Sequence, residues 1–97
     1  MIATRKDRDH KKAITIFQSY GWGVIDTSSF LGKMLDLFID KPNLNLYHFV
    51  EIKTGKGKKL TTAEDDFFTK HPEKSIRFNS LEEISSWCAS ELAGRKF

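Results

Sequence analysis

The chain has 97 residues, of which 39% are hydrophobic and 30% charged, and a formal net charge of +3. That is enough chain for a single domain with one core, and the balance argues against a disordered chain. No apolar run reaches the ~18 residues that span a bilayer, and the N-terminal MIATRKDRDHKK has no signal-peptide apolar core. The lone cysteine, Cys88, excludes an internal disulfide and has no zinc-ligand spacing with the three histidines. A reducing, intracellular setting is the expectation.

In chain order, Ala13, Ile14, Phe17 and Tyr20 recur at spacings of three and four, which predicts an amphipathic helix from roughly Asp7 to Tyr20, ended by Gly21. WGVIDTS is a short β-rich segment. MLDLFID alternates, with Leu35, Leu37 and Ile39 on one face and Met34, Asp36 and Phe38 on the other. KPNLN is a turn and LYHFVEIK a second strand, so the two strands pair as a hairpin. Thr61 and Glu64 form a capping box, with Asp65 and Asp66 at the positive end of a helix that stops near His71-Pro72. SIRFNS is a fourth strand. Ser80 and Glu83 make a second capping box, and Leu81, Ile84, Trp87, Cys88 and Leu92 line one side of a last helix. The order α-β-β-β-α-β-α predicts an α/β fold with a mixed four-stranded sheet flanked by helices.

Charge is unevenly placed. Arg5, Lys6, Arg8, Lys11 and Lys12 crowd the start, and Lys53, Lys56, Lys58 and Lys59 follow one another with no acid between them. Two basic clusters point to a polyanionic partner. TGKGKK is not a phosphate-binding loop, because Gly57-Lys58 is followed by Lys59 and no glycine stands five residues before Gly57, so no nucleotide cofactor is expected.

Side chains two apart on a strand share a face, so Glu51 and Lys53 lie together while Ile52 turns to the core. Asp36, on the neighbouring strand, can face the same way. Two carboxylates and one ammonium then meet, and carboxylate oxygens suit Mg²⁺ completed by waters and substrate phosphate. The acid-x-Lys triplet alone is weak, since Asp9-His10-Lys11 repeats it at a helix start, where residues two apart do not share a face. His48 falls on the Ile52 side and is read as packed, and His10 and His71 as helix-end residues.

LDLFID, FVEIKTGKGKKLTTAEDDFFTKHP and SIRFNSLEE together resemble the PD-(D/E)xK nuclease superfamily, and most of all its small stand-alone VRR-NUC branch of phages and bacteria. The resemblance runs from about Arg5 to Ile84. It implies one VRR-NUC-like nuclease domain over 1–97 with a restriction-endonuclease-like core. It further implies a Mg²⁺ or Mn²⁺ site made by Asp36, Glu51 and the Ile52 carbonyl, with Lys53 beside the attacking water. Leu35 stands where the family usually has proline, and only Gly32 remains of a glycine-rich loop. Many members add an acid from the first helix, for which Asp7 and Asp9 are the candidates. The cap accounts for Glu64, which is also a candidate for a supporting place near the metal.

The expected function is a metal-dependent DNA endonuclease with Asp36, Glu51 and Lys53 as its catalytic set. Arg5, Arg8, Lys33, Lys56, Lys58 and Lys59 would meet DNA phosphates. By family analogy, branched DNA such as junctions or flaps is favoured over one duplex sequence. A homodimer is expected, with the apolar FLGKM loop as a candidate contact, in the cytoplasm of a bacterium or phage-infected host. The rival expectation is a non-catalytic DNA- or protein-binding module that keeps the fold, and a weaker one is an accessory subunit of a phage replication or packaging complex.

Overall fold

Helix α1 (Arg5–Ser19) turns one side inward and fully buries Ala13 and Phe17. It ends where Gly21 takes φ 88°, a left-handed conformation that costs glycine nothing. Strand β1 (Gly23–Asp26) follows, then β2 (Leu37–Lys41) and β3 (Leu46–Ile52). The computed structural model describes residues 5–29, 35–54 and 59–94, and the side chains within them except at 5–7 and 91–94. The β2–β3 turn is one turn of 3₁₀-helix at Pro42–Leu44, closed by Asn45 at φ 55° with its N–H on Pro42 O at 3.0 Å.

The three strands form an antiparallel meander. The chain then climbs through α2 (Thr62–Lys70) and returns as β4 (Ser75–Phe78), parallel to β3, before α3 (Leu81–Gly94). Strand order is β1-β2-β3-β4, the mixed α/β sheet that the sequence pattern predicts. The α2 box forms as expected: Thr61 Oγ1 accepts from Glu64 N at 3.1 Å and Glu64 Oε1 from Thr61 N at 2.8 Å. The α3 box is displaced by one residue on its return arm. Ser80 Oγ accepts from Glu83 N at 3.1 Å, but Glu83 Oε1 accepts from Asn79 N at 2.7 Å.

One face of the sheet carries the core. Leu37, Ile39, Val50, Ile52 and Phe78 pack there against Ala13 and Phe17 of α1 and Ile84 and Cys88 of α3. His48 lies on this face between Trp22 and Trp87, with ring centroids at 5.8 and 5.3 Å, so it is the packed histidine its position predicts. On the other face α2 lays Phe67 against Phe49 at 5.1 Å. His71 caps the end of α2, whereas His10 lies inside α1 and bonds Asp26 instead of ending a helix.

The strand expected to begin at Met34 begins at Leu37, and Met34 itself lies outside the described residues. Just before it, side chains supplement the backbone bond from Thr27 N to Asp36 O. The Thr27 hydroxyl donates to Leu35 O, and Asp36 Oδ2 accepts from Ile52 N at 2.9 Å.

Candidate active site

The register of β2 and β3 pairs Leu37 with Val50, so Asp36 stands opposite Glu51, one step beyond the strand end and off the core face. The backbone of Asp36 is fixed by its carbonyl, which accepts from Thr27 N at 2.9 Å. Its carboxylate replaces a ladder acceptor for Ile52 N, which fixes the orientation of Oδ2. The two acids expected to share a face do so.

Glu51 is the unusual member. Its side chain is 1% exposed, and neither carboxylate oxygen has a hydrogen-bond partner among the described residues. Buried polar groups without partners are rare and costly. Lys53 Nζ lies 3.2 Å from Glu51 Oε2, close enough for an ion pair but not angled for a hydrogen bond. Burial does most to push the Glu51 carboxyl up, the neighbouring Glu64 and Asp36 carboxylates add to it, and Lys53 opposes it, leaving it at about 8. The carboxyl therefore holds its proton at neutral pH.

Lys53 continues the same face of β3, and its backbone N–H bonds Phe78 O at 2.9 Å. Its ammonium also reaches Glu64 Oε1 at 2.9 Å. Burial works to lower Lys53, but the carboxylates of Glu64 and Glu51 more than offset it, and the group stays protonated more firmly than an ordinary lysine. Burial likewise works to raise Glu64. The neighbouring Glu51, the Thr61 N–H and Lys53 outweigh it and hold the carboxyl down at about 2. Glu64 thus caps α2 and joins the charged cluster at once.

No family model, curated protein or solved structure matches this chain. The site therefore stands on its own geometry and on the motif resemblance.

The remaining sequence candidates divide. Lys59 is exposed and lines a cavity of about 420 Å³ with Leu60, Thr61, Thr62, Asp65 and Arg77. Arg8 is exposed on α1, and Asp9 is half-buried there. Among the described residues no three His, Cys, Asp or Glu side chains gather as a metal-holding group, so Asp9 is not brought to Asp36 and Glu51. Lys33, Lys56, Lys58, Gly32 and the FLGKM loop lie outside the described residues, as do the side chains of Arg5 and Asp7.

Arg77 escaped the sequence reading. It is level with Glu51 on the neighbouring parallel strand, and its Nε donates to Asn79 Oδ1 at 2.9 Å. The signal was its place between Ile76 and Phe78, which turns it to the Glu51 face of the sheet. A second omission is the link of His10 Nε2 to Asp26 Oδ2 at 3.0 Å, which joins α1 to the end of β1. Burial works to raise the Asp26 carboxyl, but bonds from Ser28 and His10 outweigh it and lower it. No helix among the described residues is long and apolar enough to cross a membrane.

Proposed function

We propose that this chain is a divalent-metal-dependent DNA endonuclease of the PD-(D/E)xK kind, closest in motif to the VRR-NUC branch. The observation that carries the reading is Glu51. A fully buried carboxyl with neither oxygen hydrogen-bonded, opposite Asp36 and beside Lys53, is costly for a fold and useful for a cation. The donor set fits Mg²⁺ or Mn²⁺, which commonly take one or two carboxylates and fill the rest of the shell with water and phosphate.

Asp36 and Glu51 would hold the ion. The Ile52 carbonyl would join them, since N–H and C=O of one strand residue face the same neighbour and the Ile52 N–H already meets Asp36. A bound divalent ion supplies charge neutralisation and a more acidic water. Lys53 keeps its positive charge beside the carboxylates, where it orients the attacking water and stabilises the charge growing on the phosphate. Lys59 and Arg77, in the cavity beside Thr61, give the DNA backbone two cations near the reacting bond.

Substrate choice follows the resemblance, with branched or flapped DNA ahead of one duplex sequence. The test uses labelled linear, flapped and four-way DNA with Mg²⁺ or Mn²⁺, and compares wild type with Asp36→Ala and Lys53→Ala. Cleavage undiminished in both variants removes the mechanism. Binding without cleavage under either metal turns the reading into its rival, a nuclease-like fold that only binds. A homodimer belongs to the same proposal, supported by Ile25 and Tyr47, 53% and 40% exposed on one face of the sheet. Light scattering that gives a monomer with and without DNA ends that part.

A further inference from the structure

Lys53 is held at both ends. Its backbone N–H is fixed to Phe78 O, and its ammonium lies 3.2 Å from Glu51 Oε2 and 2.9 Å from Glu64 Oε1. The same Glu64 Oε1 accepts the Thr61 N–H at 2.8 Å, and Thr61 Oγ1 accepts from Glu64 N at 3.1 Å. One oxygen therefore closes the first turn of α2 and holds the amine. A capping glutamate has no need of a lysine. A lysine that served only to balance Glu51 has no need of a second carboxylate. The four-carbon stem of lysine is flexible, so a second anchor changes where its charge can go.

We infer that Glu64 is a positioning residue for Lys53, tethering its ammonium to the first turn of α2 and so setting its reach towards Glu51. The inference rests on the nuclease reading for the purpose Lys53 serves, and on nothing but the fold for the tether itself. Without Glu64 the ammonium loses its anchor on α2 and swings towards solvent, away from the reacting phosphate. Holding it between two carboxylates leaves it near the reacting phosphate without filling the place of the ion.

The experiment needs neither metal nor DNA. The intact chain is treated briefly with an acetylating reagent in chelator, and the labelling of each lysine is read by peptide mass spectrometry. Lys70 serves as internal reference, being 68% exposed and paired with Asp66 on the same helix. Glu64→Gln keeps an oxygen for the Thr61 N–H and removes the charge. Thr61→Val keeps the backbone donor and the Glu64 charge and removes the hydroxyl arm of the cap. Labelling of Lys53 relative to Lys70 should rise several-fold in Glu64→Gln and stay at the wild-type value in Thr61→Val. No rise in Glu64→Gln overturns the tether. An equal rise in both variants also overturns it, because loosening of α2 then explains the exposure. In the wild type alone Lys53 must label more slowly than Lys59 and Lys70, and equal rates end the inference even if a variant does not fold. Cleavage plays no part, so a failed nuclease reading and a failed tether give separate results.

Discussion

Strand β3 places two opposite solutions side by side. Val50 and Ile52 turn to the helical face at 0% and 4% exposure, and Glu51 between them turns to the α2 face at 1%. Burial is equal and chemistry is opposite. Each aliphatic side chain gains about 1.5–3 kcal/mol from leaving water. Burying a carboxylate costs several kcal/mol unless it is paired and fully hydrogen-bonded, and both Glu51 oxygens lack such bonds. The first face is what makes the protein fold. The second face spends part of that stability, which is the expected mark of a working site.

The comparison is broken most directly by removing a member of each face. Phe17 is fully buried and packs edge-on against Phe78 and Trp87, so Phe17→Ala should lower the unfolding free energy by about 3–5 kcal/mol in urea titrations. On the other face, Asp36→Ala and Lys53→Ala should reduce metal-dependent cleavage by about 10²–10³-fold, the usual loss for one group that stabilises developing charge. A smaller stability change than that of Phe17→Ala should accompany it. Asp36→Ala that unfolds the chain as thoroughly as Phe17→Ala would make Asp36 a structural residue.

Glu51→Met sharpens the contrast, because it gives the second face the chemistry of the first. Removing a buried carboxyl that lacks hydrogen bonds relieves its desolvation cost, and Lys53 keeps Glu64 as its partner. The variant should therefore melt at or above the wild-type temperature while losing all cleavage. A large loss of stability would mean that Glu51 belongs to the scaffold.

Titration reads the same difference without mutation. The Glu51 carboxyl rises from 4.5 to about 8 on folding, so the folded state keeps a proton that the unfolded chain has lost. Its stabilising contribution is complete below pH 4.5 and is lost as the pH rises towards 8. Glu64 has the opposite sign: its contribution is present above 4.5 and is lost as the pH falls towards about 2. In chelator, urea midpoints should fall between pH 5 and 8 in the wild type and stay flatter in Glu51→Met. Added Mn²⁺ should reduce the slope, since a ligand carboxyl must release its proton to bind. A flat wild-type profile in chelator would contradict the burial argument.

The helical face was the more legible of the two in the sequence. Periodicity at Ala13 and Phe17, and alternation at Leu35, Leu37 and Ile39, are direct consequences of one buried side. They correctly predict the element order and the sheet. Glu51 and Lys53 were legible for the same reason, since strand geometry alone puts them together. Arg77 was hidden because one cation between two apolar residues is what any strand edge offers, and only the parallel pairing aligns it with Glu51. The second task of Glu64 was hidden for a different reason. Thr61-x-x-Glu64 is complete as a capping box, so nothing in the pattern asks for Lys53, and the helix must be folded back over the sheet before the two meet. The start of β2 was misread because alternation continues through Asp36 while the Leu35 carbonyl and the Ile52 N–H there bond to side chains.

The smallest predicted effect tests where the two faces are joined. Thr61→Ala removes the oxygen that accepts from Glu64 N and leaves the Thr61 N–H, Glu64 and Lys53 in place. The loss of a threonine cap oxygen typically costs about 1 kcal/mol. Part of that should be recovered here, because the Glu64 carboxylate still closes the turn from the other side and is itself held by Lys53. Thr61→Ala should therefore destabilise by less than the double variant Thr61→Ala, Lys53→Met exceeds Lys53→Met alone, a positive coupling that urea midpoints of the cycle can read. Strict additivity would mean that the cap and the charged cluster are neighbours without being connected. The helix would then owe its position to Phe67 against Phe49, and the polar face would be an occupant of the fold with no share in holding it together.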